Sequence, residues 1–89
     1  MAWYEINGPS SSPKNSSVEI HAYCDDELVT QIEVSFRGCD MYTSEVKSGN
    51  NVYVTAQTKS VEGMVEVTAD FQNSGGYSAS KKSCRFSVD

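Results

Sequence analysis

Apolar and polar residues alternate along most of the chain with a period of two, which is typical of strands that bury one face. The clearest segment is residues 18–24, where Val18 and Ile20 are separated by Glu19 and followed by the outward positions His21 and Tyr23. The same alternation predicts further strands over residues 3–6, 28–36, 41–46, 52–58, 65–71 and 84–88. No segment of useful length has the period of a helix.

Turn residues separate these strands. Gly and Asn clusters at residues 47–51 and 73–76 predict hairpins, because Gly and Asn tolerate the positive φ that tight turns require. Residues 7–9 end the first strand, and the acidic residues 25–27 end the second. The Ser- and Pro-rich stretch at residues 9–17 is predicted to be a crossover at the edge of the fold, too polar to be buried.

The aliphatic composition favours an all-β fold. Ten Val and three Ile occur against a single Leu, and β-branched side chains fit a pleated sheet better than a helix. About seven strands spaced by roughly 8–12 residues are typical of an immunoglobulin-like sandwich, in which two antiparallel sheets pack face to face. We therefore predict one such domain over residues 1–89.

The charge of the chain limits its partners. The net charge is −5 and the isoelectric point about 4.7, which argues against nucleic acid and anionic membranes because both attract basic surfaces. No run of apolar residues is long enough to span a bilayer. The first residues show neither the basic nor the apolar region of a signal peptide. The expected location is therefore the cytoplasm, or a particle that assembles there and leaves by lysis.

Several segments resemble, in order, the immunoglobulin-like modules of bacterial surface proteins and phage virion proteins. They read I-x-G-P at 6–9, VEIHA at 18–22, DDELV at 25–29, IEVSFRG at 32–38, GMVEVTAD at 63–70, GG at 75–76 and VD at 88–89. The resemblance implies this fold and, for a phage-encoded chain, a place on the virion surface. The chain departs from antibody-type domains because Cys24 has no cysteine partner on the sixth strand and Trp3 lies on the first strand.

Residues that could support catalysis are few. Cys24, Cys39 and Cys84 form no C-x-x-C pair, and we predict that all three are reduced, with Cys24 and Cys84 in the core. One disulfide among them is the alternative. His21 is the single histidine, which is too few for a zinc site and is predicted to lie at the surface. We therefore predict no enzyme, no metal and no cofactor.

The acidic turn has two interpretations. Asp25, Asp26 and Glu27 are expected to be solvated, but with Asp70 from the end of the sixth strand they could supply oxygen ligands for calcium. A calcium-dependent rise in melting temperature would distinguish the two.

The aromatic residues are the main candidates for partner binding. Tyr and Trp supply large contact areas at low entropic cost, and the chain has more of them than a core of this size requires. The predicted partner-binding residues are Trp3, Tyr4, Tyr42, Tyr53, Tyr77, Asp25, Asp26 and Glu27. Trp3 and Tyr4 are expected in a patch that the first strand forms with the last. The alternative is that the tyrosines cap the ends of the sandwich.

Three functions fit these observations. The first is a non-enzymatic virion protein that decorates a capsid or tail and binds another protein there. The second is a small acidic inhibitor of a host enzyme or defence complex, which would present carboxylates where phosphates bind. The third is an adhesion module for a surface glycan. Carboxylates gathered on one face with Asp70 would favour the inhibitor, whereas evenly spread carboxylates would favour display.

Overall fold

The described part of the chain contains eight strands. The computed structural model describes residues 2–38, 41–48 and 50–89, and for residues 41–48 it gives the backbone alone. The strands are β1 (Tyr4–Asn7), β2 (Ser11–Ser12), β3 (Ser17–Cys24), β4 (Val29–Arg37), β5 (Met41–Ser48), β6 (Asn51–Thr58), β7 (Gly63–Asn73) and β8 (Ser78–Val88). No helix occurs in these ranges, and therefore none that could cross a membrane. The all-β prediction is confirmed.

The strands form two four-stranded sheets. The first sheet has the order β1-β3-β6-β5 and the second the order β2-β8-β7-β4. All neighbours are antiparallel except β2 and β8, which are parallel. Without β2, this is the strand order of a constant-type immunoglobulin sandwich. The predicted sandwich of about seven strands is thus confirmed, with β2 as an additional short strand.

The Ser- and Pro-rich crossover differs from its prediction at Ser12. This residue pairs with Val88 and is only 4 % exposed. Its Oγ donates a hydrogen bond of 2.9 Å to the carbonyl of Pro13, and its own carbonyl accepts one of 3.0 Å from the N–H of Asp89. A serine whose polar atoms are satisfied can be buried at low cost. The expectation that this stretch is too polar to bury was wrong here.

The core lies between the sheets and consists of the inward positions of both. Phe71 on β7 and Phe86 on β8 are fully buried, as are Ile20 on β3 and Val67 on β7. Burial of each large side chain of this kind stabilises the fold by about 1.5–3 kcal/mol. The ring of Tyr4 contacts Phe71 edge to face, with centroids 5.2 Å apart, so β1 of the first sheet is held against β7 of the second.

The β3–β4 turn is one residue longer than predicted. A side-chain oxygen of Asp26 accepts the N–H of Leu28 at 2.9 Å, and its carbonyl accepts the N–H of Val29 at 3.1 Å. These bonds close a turn around Leu28, which is 75 % exposed. Strand β4 therefore begins at Val29, and Leu28 does not start it. This turn lies beside Trp3, since the N–H of Asp25 donates to the carbonyl of Trp3.

Candidate functional site

Aromatic side chains collect on the outer side of the first sheet. His21 and Tyr23 occupy outward positions of β3, because the alternate residues of that strand enter the core. Antiparallel pairing places Tyr23 opposite Glu5, and His21 opposite Tyr53. We call this surface the aromatic face. It consists of Trp3 and seven of the outward residues of β1, β3 and β6: Glu5, Asn7, Glu19, His21, Tyr23, Asn51 and Tyr53.

The centre of the aromatic face is a stacked pair. The rings of His21 and Tyr53 lie nearly parallel, 7° apart, with centroids separated by 4.4 Å. The Nε2 of His21 is 3.0 Å from the Oδ1 of Asn51, which fixes the imidazole in the plane of the stack. The ring of Tyr23 lies 6.4 Å from His21 on the same strand. Three rings thus form a continuous row across β3 and β6.

A carboxylate orders the β1 side of the face. Glu5 accepts hydrogen bonds from the Nδ2 of Asn7 at 2.6 Å and from the Nε1 of Trp3 at 3.2 Å. These two donors, Asn7 first and then Trp3, lower the pKa of Glu5, so the group stays ionised at neutral pH. Trp3 is 61 % exposed. The indole of Trp3 is therefore a solvent-facing ring whose N–H is held by Glu5.

Tyr4 lies on the inner side of the same strand and is not part of the aromatic face. Its ring packs on Phe71, and its hydroxyl donates a hydrogen bond to the carboxylate of Asp26. That hydrogen bond, with partial burial, raises the pKa of Tyr4 to about 12. It also lowers the pKa of Asp26, which accepts a second bond from the N–H of Leu28. Tyr4 closes one end of the sandwich, which is the capping role given above as the alternative.

Two carboxylates of the acidic turn accept hydrogen bonds from the protein itself. Asp25 accepts the N–H of Trp3 at 2.6 Å, and Asp26 accepts the bonds just described. Glu27 is exposed. Asp70 points to the outside of the second sheet, where Ser78 and Gln72 donate to it at 2.7 and 3.0 Å and lower its pKa. Within residues 2–38 and 50–89, no three His, Cys, Asp or Glu side chains are grouped to hold a metal ion.

Of the remaining predicted partner-binding residues, Tyr77 lies apart from the aromatic face. Tyr77 is 75 % exposed in the β7–β8 hairpin, whose Asn73 side chain accepts its N–H. Tyr42 belongs to β5, and its side chain is outside the described residues. Strand β1 is at the edge of the first sheet and contacts the last strand, β8, of the second sheet without pairing with it. The patch expected there stays a prediction. On the outer side of the first sheet, the surface around Trp3 continues onto β3 and β6.

The cysteines have the expected inward positions where they are described. Cys24 is fully buried and Cys84 is half-buried, and both are free thiols. Burial raises the pKa of each thiol, so a smaller fraction of each is present as the reactive thiolate. Cys39 lies outside the described residues, so the prediction for it stays a prediction.

Sequence reasoning identified the members of the aromatic face only in part. The alternation shows that His21 and Tyr23 point outward, and Trp3 and Tyr53 were selected for their residue type. Asn51 and Glu5 were not selected, because each matters only through a neighbour on the same face. The register between β3 and β6 decides that His21 faces Tyr53, and nothing in the sequence states that register.

Comparisons of the chain with protein-family models, curated proteins and solved structures gave no match. The resemblance to modules of bacterial surface and phage virion proteins therefore stays a prediction.

Proposed function

We propose that this chain is a non-enzymatic binding module, displayed on a phage particle, that attaches to a protein partner through the aromatic face. The observation that supports the proposal is the group of rings from Trp3, Tyr23 and Tyr53 on the outer side of the first sheet. Hydrogen bonds from Trp3 to Glu5 and between His21 and Asn51, with the stack of His21 on Tyr53, hold this group in place. Trp and Tyr dominate the binding energy of protein interfaces, especially where they are already held in the bound geometry. The particle setting comes from the resemblance of the sequence.

The position of the cluster on strands supports binding more than catalysis. Side chains on a sheet are held more rigidly than side chains on loops, which favours a fixed contact surface. Two shallow depressions lie at Arg37, Met64 and Asp89 on the second sheet, away from His21 and Glu5. The one histidine is engaged with Asn51 and Tyr53.

The test is co-sedimentation of the full chain with phage particles that lack it. The wild-type chain is expected to sediment with the particles. Trp3→Ala combined with Tyr53→Ala is expected to weaken binding about tenfold or more, the effect of removing interface hot spots. Met64→Ala is the matched control, because Met64 on the second sheet is 57 % exposed and Trp3 is 61 % exposed. Equal binding of wild type and double variant would refute the proposal.

A glycan-binding adhesion module is the second candidate. It is favoured by the grouping of Trp3, Glu5 and Asn7, which combines an exposed ring with a carboxylate and a carboxamide. An array of bacterial surface glycans, probed with the wild-type chain and with Trp3→Ala, tests it. Binding of a glycan that the variant loses would favour this candidate over the protein-binding module.

A further inference from the structure

We infer that the partner of the aromatic face is a positively charged protein surface, and that arginine side chains of that surface contact the rings. The inference rests on the proposed binding function and adds the chemistry of the partner. It is drawn from the distribution of charge around the molecule.

The aromatic face carries negative charge without compensating cations. Glu5 and Glu19 are outward, and none of the described outward residues of β1, β3 and β6 is Lys or Arg. The acidic turn continues the same surface, because Asp25 is bonded to the backbone of Trp3. Glu27 adds an exposed carboxylate there. This side of the protein therefore has a negative potential.

The described cations lie elsewhere. Four are on strands of the second sheet, and two are in the loops that flank β3 and follow β6. In this order they are Arg37, Lys81, Lys82, Arg85, Lys14 and Lys59. Arg85 pairs with Glu66 on the second sheet at 3.4 Å, and Lys14 pairs with Glu62 between two loops at 3.6 Å. The described cations are therefore absent from the outward positions of β1, β3 and β6, where Glu5 and Glu19 lie.

Arginine fits this combination of groups better than other side chains do. A guanidinium group stacks on the faces of Trp and Tyr rings and also forms paired hydrogen bonds with carboxylates. Trp3 and Glu5 offer both kinds of contact at one edge of the face, and Tyr53 offers an exposed ring near the opposite edge. Arg, Trp and Tyr are also the residues most enriched at interface hot spots.

The size of the molecule suits a folded protein partner that covers more than the aromatic face. The Cα atoms of the whole molecule span 39 × 20 × 17 Å, and each partner contributes roughly 800 Å² to a standard interface, so such a partner would also cover the acidic turn and the rest of the first sheet. Nucleic acid phosphates would be repelled by the carboxylates.

The test is an NMR titration of the ¹⁵N-labelled full chain with three defined probes. These are N-acetyl-triarginine amide, N-acetyl-triglutamine amide and a neutral hexose oligomer, maltohexaose. We expect the arginine peptide to shift the indole N–H of Trp3 and the backbone N–H groups of Tyr23 and Tyr53, with millimolar affinity. The glutamine peptide should shift them much less. Raising the salt concentration from about 0.05 M to about 0.5 M should weaken binding of the arginine peptide, since exposed charges are screened.

A matched pair of variants separates the aromatic face from net charge. Glu19→Gln on the aromatic face and Glu33→Gln on the second sheet each remove one exposed strand carboxylate. We expect Glu19→Gln to weaken binding of the arginine peptide about twofold to fivefold, and Glu33→Gln to leave it unchanged. Equal effects of the two variants would overturn the inference, because net charge alone would then explain binding.

The other outcomes are also decisive. Equal shifts with arginine and glutamine peptides, no shift at the aromatic face, or shifts with the hexose oligomer alone would each overturn an arginine-bearing partner. None of these results would change the outcome of the co-sedimentation experiment with Trp3→Ala and Tyr53→Ala. Failure of the partner chemistry is thereby distinguished from failure of the proposed binding function.

Discussion

The outer faces of the two sheets cover the same core but are organised differently. On the first sheet, side chains contact one another as rings and hydrogen-bonded amides, as in the His21–Tyr53 stack and the Glu5 network. On the second sheet, none of the outward positions of β4, β7 and β8 carries an aromatic ring. Cross-strand pairs of small or charged groups occur there instead, such as Thr68 with Ser83 at 3.1 Å.

This difference shows that the core and the outer faces are specified by separate sets of positions. The inward residues of both sheets are small or β-branched apolar groups with two central phenylalanines, and they specify the sandwich. The outward residues can differ widely because they do not determine the packing.

The largest expected difference between the two sheets is in alkaline titration. Asp26, at the end of the first sheet, bonds the ionisable hydroxyl of Tyr4, whereas Asp70 on the second sheet bonds the neutral side chains of Ser78 and Gln72. Tyr4 should ionise with a pKa of about 12. In Asp26→Asn that pKa should fall towards the ordinary value of about 10. In Asp70→Asn it should not change. NMR of ¹³Cζ-labelled tyrosine measures it.

The same contact predicts how stability depends on pH. Because the pKa of Tyr4 is raised in the folded state, its contribution is complete below about pH 10 and is lost as pH rises through about 12. Because the pKa of Asp26 is lowered, its contribution is present above its ordinary value near 4 and is lost as pH falls further. Tyr4→Phe should remove the alkaline dependence and reduce the acidic one, which persists in part because the N–H of Leu28 still donates to Asp26. Ionisation of Tyr4 near pH 10 in the wild type would contradict this account.

More of the fold than of the aromatic face could be predicted from the sequence. Alternation in residues 18–24 and 65–71 predicts inward and outward positions correctly because the period of two is local to each strand. The strand β2 was missed, since the two serines of this edge strand give no hydrophobic signal. Only Ser12 is buried, and its polar atoms are satisfied by backbone contacts. The stack of His21 on Tyr53 depends on the register between β3 and β6, which are distant in sequence: His21 and its hydrogen-bond partner Asn51 are 30 residues apart.

The next expected effect concerns coupling within the aromatic face. A double-mutant cycle with His21→Ala and Tyr53→Ala should give a coupling free energy of about 0.5–1.5 kcal/mol, typical of stacked rings. Urea unfolding of the four chains measures it, with Trp3 fluorescence as the probe. A coupling near zero would mean that the rings are adjacent without stabilising each other. The face would then lack the preorganisation on which the binding proposal depends.

The smallest expected effect is the corresponding cycle on the second sheet. Glu66→Gln and Arg85→Gln remove the cross-strand ion pair, in which the Arg85 side chain is 70 % exposed. Exposed pairs of this kind gain little because water screens the charges, so the expected coupling is about 0.2–0.5 kcal/mol. It should shrink further in about 0.5 M salt, whereas the His21–Tyr53 coupling should persist because stacking does not depend on net charge. A coupling for Glu66 and Arg85 that matched the aromatic pair and survived salt would remove the distinction between the two faces. The aromatic face would then be one ordered surface among two, and the assignment of binding to the first sheet would lose its physical basis.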